Sequence, residues 1–239
     1  MTNMANSSQL NNRTSLNPSL DRGLREHMAR VYAYMTIGLA ITGLVAFVVG
    51  TTPAIYQPLF SSPVVWIVIF LPLVFVVALS VSINSISSIA AQAIFWAFCV
   101  VVGLSMASVF FVFTGASIAR TFFIAAAMFG LTSLYGYVTK SDLSRFGSFL
   151  MMGLIGVLVA AVVNLFLRSD ILQLIFSAGG IIVFLGLAAW DTQAIKEQYA
   201  EGAATEANQK LAVMGALSLY LSFINLFQLL LSVTGQQRP

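Results

Sequence analysis

Seven long apolar runs, with almost every charge collected between them, constrain this chain's fold more than any motif does. They cover residues 31–50, 64–83, 89–113, 118–138, 146–167, 171–190 (continuing as a helix to about 199) and 211–233. Crossing roughly 30 Å of hydrocarbon at about 1.5 Å per residue takes about 20 apolar residues, and each run is long enough. Their apolar character is continuous and does not alternate over about ten residues, which predicts helices and not barrel strands. Charged residues make up 8% of the 239-residue chain and hydrophobic residues 59%. Soluble domains carry about 25% charged residues, so a water-facing surface could not be built from this composition. The expectation is an all-α integral membrane protein, a seven-transmembrane-helix bundle lying in a lipid bilayer.

The rest of the chain divides simply. Residues 1–20 are rich in Asn and Ser and are expected to be a disordered tail, because they bury too little apolar surface to offset ordering. Residues 20–30 (LDRGLREHMAR) read as a short interfacial helix entering the first run. One transmembrane domain then spans 21–233, and 234–239 form a short tail. No secretory signal peptide is expected, since apolar sequence begins only after Arg30 and lacks a small-residue cleavage site. Pro53, Pro58 and Pro63 punctuate the first connection, and Pro72 inside the second run is a place for a kink. Arg13, Arg22, Arg25, Arg30, Lys140, Arg145, Lys196 and Lys210 fall on one side, against Arg120, Arg168 and Arg238 on the other. That bias predicts a cytoplasmic N-terminus and an outward C-terminus. No basic run suggests nucleic acid as a partner.

Of eleven basic and eight acidic side chains, only Asp191 interrupts apolar sequence that resumes beyond it, at Ala194 and Ile195. A carboxylate at membrane depth costs about 2.5–3.5 kcal/mol on insertion scales, which makes it a functional candidate. Two readings are open: the helix reaches water there, or the carboxylate faces the bundle interior and meets protons or cations. The last run carries a second signal. Gly215, Ser218, Ser222, Asn225 and Ser232 recur at helical spacing along one face. Such a stripe is either packing glue between helices or one wall of a narrow hydrated path.

Catalytic inventories fail. His27 is the only histidine and lies in the N-terminal segment, where a solvated side chain is expected. Cys99 is the only cysteine, so thiolate metal sites and intrachain disulfides are excluded. No H-E-x-x-H, no G-x-S-x-G elbow and no phosphate loop occurs. A second carboxylate for an aspartyl dyad is missing, and the last run has no internal lysine for a retinal Schiff base. The expectation is a protein that is not an enzyme and holds no cofactor.

Residues 190–195 (WDTQAI) and 215–227 (GALSLYLSFINLF) resemble the sixth and seventh spans of the Bax inhibitor-1 family, in its bacterial branch. The strings at 24–28 (LREHM) with Val31 and Tyr32, 117–123 (SIARTFF) and 134–137 (LYGY) are similar to the same branch. The likeness runs from about Leu20 to Ser232. It implies a bacterial inner-membrane protein whose last helix is central, wrapped by two groups of three. It also implies a pH-influenced calcium or cation leak, with calcium as the permeant or regulatory ion. In that picture two aspartates share a proton or bridge to a basic partner. Asp191 matches the first and would be the pH- and cation-sensing group, with Ser218, Ser222 and Asn225 as the polar face beside it. The second aspartate falls at Ser222, and residues 81–88 (VSINSISS) lack the basic residues the family often has there. Two nearby carboxylates titrate as a coupled pair, whereas a carboxylate beside a hydroxyl does not. The alternative expectation is a non-conducting membrane partner that modulates membrane proteases or stress responses.

Overall fold

A computed structural model describes residues 18–61, 63–199 and 205–238, with side chains described from Arg22 onward. The expected disordered tail therefore lies largely outside the described residues. Among these, the chain forms α1 (Pro18–Thr51), α2 (Pro53–Leu59), α3 (Val64–Ser82), α4 (Ser88–Met106), α5 (Val109–Val112), α6 (Gly115–Val138), α7 (Ser144–Leu167), α8 (Asp170–Gln198) and α9 (Thr205–Thr234). Seven are long and apolar enough to cross a membrane when α4 and α5 are counted together.

Three features depart from the expected boundaries. The interfacial helix and the first span are one unbroken helix, α1, because nothing in 20–31 breaks helical geometry. The third span is broken at Ala107–Ser108, after which α5 adds a single turn. The connection after α1 contains a helix of its own, α2, which starts at Pro53 in the first turn, where the missing N–H costs no hydrogen bond.

Hydroxyls close several helix starts. Ser87 caps α4 through the Ala90 N–H, Thr114 caps α6 through Ser117, and Ser169 caps α8 through Leu172. At the end of α7, Arg168 adopts the left-handed conformation (φ 49°), and the Asn164 side chain accepts from the Ser169 N–H.

The last helix is the axis of the bundle. α9 packs directly against α1, α4, α6 and α8, while α3 leans on α4 and α7 leans on α8. Its side chains supply the centre of the core, including Leu219, Tyr220 and Leu226, all fully enclosed. Conversely, α7 buries little besides Gly147 and presents Phe149, Met152, Leu165 and Phe166 outward, as a lipid-facing helix does. Glycines allow the closest approaches. A side chain at Gly136 would collide with the Ala189 carbonyl, and one at Gly147 with the Trp190 ring, so α6 and α7 both lie tight on α8.

Buried polar groups tie the layers. Near mid-depth the Thr42 hydroxyl donates to the Cys99 carbonyl (2.9 Å) and lies 2.6 Å from the Tyr220 hydroxyl, joining α1, α4 and α9. At the end opposite the N-terminus, residues past α9 fold back. Phe113 and Gln237 form an isolated β-bridge, with Thr114 N–H to Gln236 O (3.0 Å) and Arg238 N–H to Val112 O (2.9 Å). The short C-terminal tail is thus seated on the α5–α6 connection.

Candidate functional site

Four consecutive side chains near the end of α8 reach four different neighbours, because successive residues on a helix point about 100° apart. Trp190 packs on Gly147 of α7. Asp191 faces α9. Thr192 faces α6, its hydroxyl 2.7 Å from that of Ser133, which in turn lies 2.6 Å from the Tyr32 hydroxyl of α1. Gln193 holds the α6–α7 connection, accepting from the Leu143 N–H (2.7 Å) and donating to the Ser141 carbonyl (2.9 Å). One turn on, the Lys196 ammonium donates to the Tyr137 carbonyl at 2.9 Å.

Asp191 is 8% exposed and lies inside the bundle, not at its margin. Ser222 donates to its Oδ2 at 2.9 Å, and Ser218, one turn earlier on α9, also faces the carboxylate. No ion pair among the described residues reaches it. An ionised carboxylate buried this deeply needs several donors, and two hydroxyls supply only part of that demand.

The polar stripe on α9 faces α8 along much of its length. Gly215 abuts Ile195, Ser218 and Ser222 meet Asp191, and Ser232 lies 3.1 Å from Ser177. Asn225 stands apart. Its amide donates to the Leu221 carbonyl (2.8 Å) and borders a cavity of about 590 Å³ between α3, α4 and α9. That cavity also carries Ser105, Gln228 and Ser232, with Pro72 of α3 on its far wall. A second cavity, of about 500 Å³, lies near the opposite end of α9, lined by Asn84, Glu206, Lys210 and Met214. Residues 214, 218, 221, 225, 228 and 232 follow a three-and-four spacing, so both cavities and Ser218 share one face of α9. The stretch between the cavities is where Ser218 and Ser222 hold Asp191.

Reading the residues one by one missed part of this arrangement. Ser105 and Gln228 are polar groups inside spans, and the same spacing that picked out Asn225 could have found them. His27 is a correction: it is 4% exposed and packed at a tilt against Tyr199 with ring centroids 5.3 Å apart, not solvated. Among the described residues no three His, Cys, Asp or Glu side chains gather to hold a metal. Calcium takes six to eight oxygens, far more than Asp191 and two hydroxyls offer.

Comparison with known proteins places this geometry in a lineage. A family model described as "Inhibitor of apoptosis-promoting Bax1" matches residues 24–239. Protein RP147 of Rickettsia prowazekii is 43% identical over 94% of this chain and 95% of its own length. The inner membrane protein YbhL of Escherichia coli K12 is 42% identical over 90% of this chain and 94% of its own. A Caulobacter vibrioides protein is 41% identical over 92% of each. The chain belongs to the Bax inhibitor-1 family, in its bacterial branch.

Proposed function

We propose that this protein is an inner-membrane cation leak, without catalysis, in which Asp191 sits in the barrier between two cavities on one face of α9. The observation that supports it most is that alignment. Cavities that each carry a few polar side chains approach from both ends, and the interval between them is spanned by Ser218 and Ser222, which also hold a lone carboxylate. A fixed negative charge in a low-dielectric interval lowers the barrier to a cation and raises it for an anion. Calcium is the cargo that the family resemblance implies. The N-terminus is on the cytoplasmic side, following the distribution of Lys and Arg.

In the described state the path is closed, for neither cavity is lined by Asp191. The helix free to open it is α3, which packs on α4 and α2 but not closely on α9, and whose Pro72 interrupts its backbone ladder. Calcium flux into liposomes carrying the purified protein tests this reading. Asn225→Trp and Met214→Trp should each block flux by filling one cavity. Gly156→Trp, at a position where an added side chain meets only open space, should leave flux unchanged. Flux no faster than in protein-free liposomes would overturn the proposal.

A second reading, a non-conducting partner of membrane proteases or stress machinery, is favoured by Ser222 itself. With a hydroxyl where the family resemblance implies an aspartate, the carboxylate pair that would gate a pore is missing. Crosslinking from the connection between Lys196 and Lys210 should then capture a membrane protein even when flux is nil.

A further inference from the structure

We infer that the cleft between α1 and α6 is a binding site for one anionic phospholipid, held in the leaflet on the side of the N-terminus. The two helices touch sparsely, bridged by the Tyr32–Ser133 hydroxyl pair, and leave a cleft of about 750 Å³ open to the side. Its lining is almost wholly apolar, with Met28, Met35 and Leu39 of α1 facing Ala126 and Gly130 of α6. Gly130 is informative, because a side chain added there would meet nothing within 4 Å. The space is therefore not taken up by the protein's own packing.

Length and charge identify the occupant. From Arg25 to Leu39 the cleft follows fifteen residues of α1, whose fourteen rises of about 1.5 Å span about 21 Å. Half a bilayer, headgroup included, is about 20–22 Å thick. At the inner end lie aromatic rings, with Phe122 and Phe129 edge-on to Phe223 at 5.6 and 5.5 Å, and Leu39, Phe122 and Phe223 also line a second apolar cavity beyond them. The shallow end carries Arg25, while Arg22, one turn earlier, is ion-paired with Glu26. A guanidinium at headgroup level above an acyl-chain-length apolar slot matches a lipid phosphate with its tail below it. A partner's transmembrane helix would bring no phosphate to Arg25.

Native mass spectrometry of the full-length protein, titrated with phosphatidylglycerol or phosphatidylethanolamine, tests the site. The unsubstituted protein should retain phosphatidylglycerol preferentially. Arg25→Gln should weaken that retention about five-fold, the effect of one basic group near a headgroup, and leave phosphatidylethanolamine unchanged. Gly130→Trp should weaken both lipids. Equal retention of the two lipids by the unsubstituted protein, or undiminished binding by folded Gly130→Trp, would overturn the inference. Should Gly130→Trp not fold, photoreactive acyl-chain phosphatidylglycerol on the unsubstituted protein decides. Adducts confined to 25–39 and 122–137 support the site, and adducts spread around the bundle overturn it. Stoichiometric copurification of a second membrane-spanning chain crosslinked into the cleft would also overturn it.

Discussion

Ser222 stands directly across the α8–α9 seam from Asp191 and donates to its Oδ2 at 2.9 Å. The position where the family resemblance implies a second aspartate is thus occupied by a donor, and the pair is a carboxylate with its hydroxyl. A hydroxyl stabilises the charged form of a neighbouring carboxylate, whereas a second carboxylate opposes it. Removing the donor should therefore be felt. Ser222→Ala is expected to lower stability by about 1.5–3 kcal/mol, the range for a hydrogen bond to a charged group. Thermal unfolding in detergent measures it, and an unchanged midpoint would mean that Asp191 is satisfied otherwise.

Restoring the second acid has the opposite signature. In Ser222→Asp two carboxylates share one buried site, and they cannot both ionise at low cost. The pH dependence of flux should change shape, titrating as a coupled pair in place of the parent's single group. Flux from Ser222→Asp with the same pH profile as the parent would show that the two positions do not communicate.

The seam between α6 and α8 depends on Gly136, whose missing side chain admits the Ala189 carbonyl. Gly136→Ala is expected to destabilise by about 1–3 kcal/mol, because the clash is with backbone and no rotamer relieves it. Gly156→Ala, facing open space, is the matched control and should be neutral or slightly stabilising through helix propensity. Chemical or thermal unfolding of both variants checks the contrast.

Outside the membrane, Asp142 opens α7. The Ser144 N–H reaches its Oδ1 at 2.9 Å, and this backbone donor, helped by the Ser144 side chain, holds the carboxyl below its ordinary range. A depressed folded-state value places its stabilising contribution at pH above the ordinary carboxylate range. That contribution is lost as pH falls through the lowered value. Hydrogen exchange at 142–146 should therefore quicken in acid. Asp142→Asn should remove this pH dependence.

How much of this was readable beforehand follows from what each feature depends on. The seven spans were legible because membrane insertion depends on summed hydropathy over about twenty residues, a local property. Asp191 and the stripe through Ser222 were legible for a similar reason, as polar letters in an apolar text. The burial of His27 was not, since it depends on Tyr199, at the far end of α8, arriving over the first turns of α1. The Thr42–Tyr220 contact was hidden in the same way, because each residue alone is unremarkable in a span. One cavity lies between α3, α4 and α9 and the other between the connection after α3 and α9, and a gap is set by how helices lean, which no single helix encodes. The unbroken α1 was misjudged at its start because the charged segment 20–30 is as good a helix former as the apolar run after it.

The most direct measurement is calcium flux into proteoliposomes by the unsubstituted protein and by Asp191→Asn, each across a pH series. If the carboxylate lines the barrier, the parent's flux falls as acid neutralises it, while Asp191→Asn stays near that low level at every pH. Among the described residues no other ionisable side chain is bonded to Asp191, so the asparagine profile should lose the step that the parent shows. Equal flux from the two proteins, with the same pH dependence, would contradict a role for Asp191 in the path.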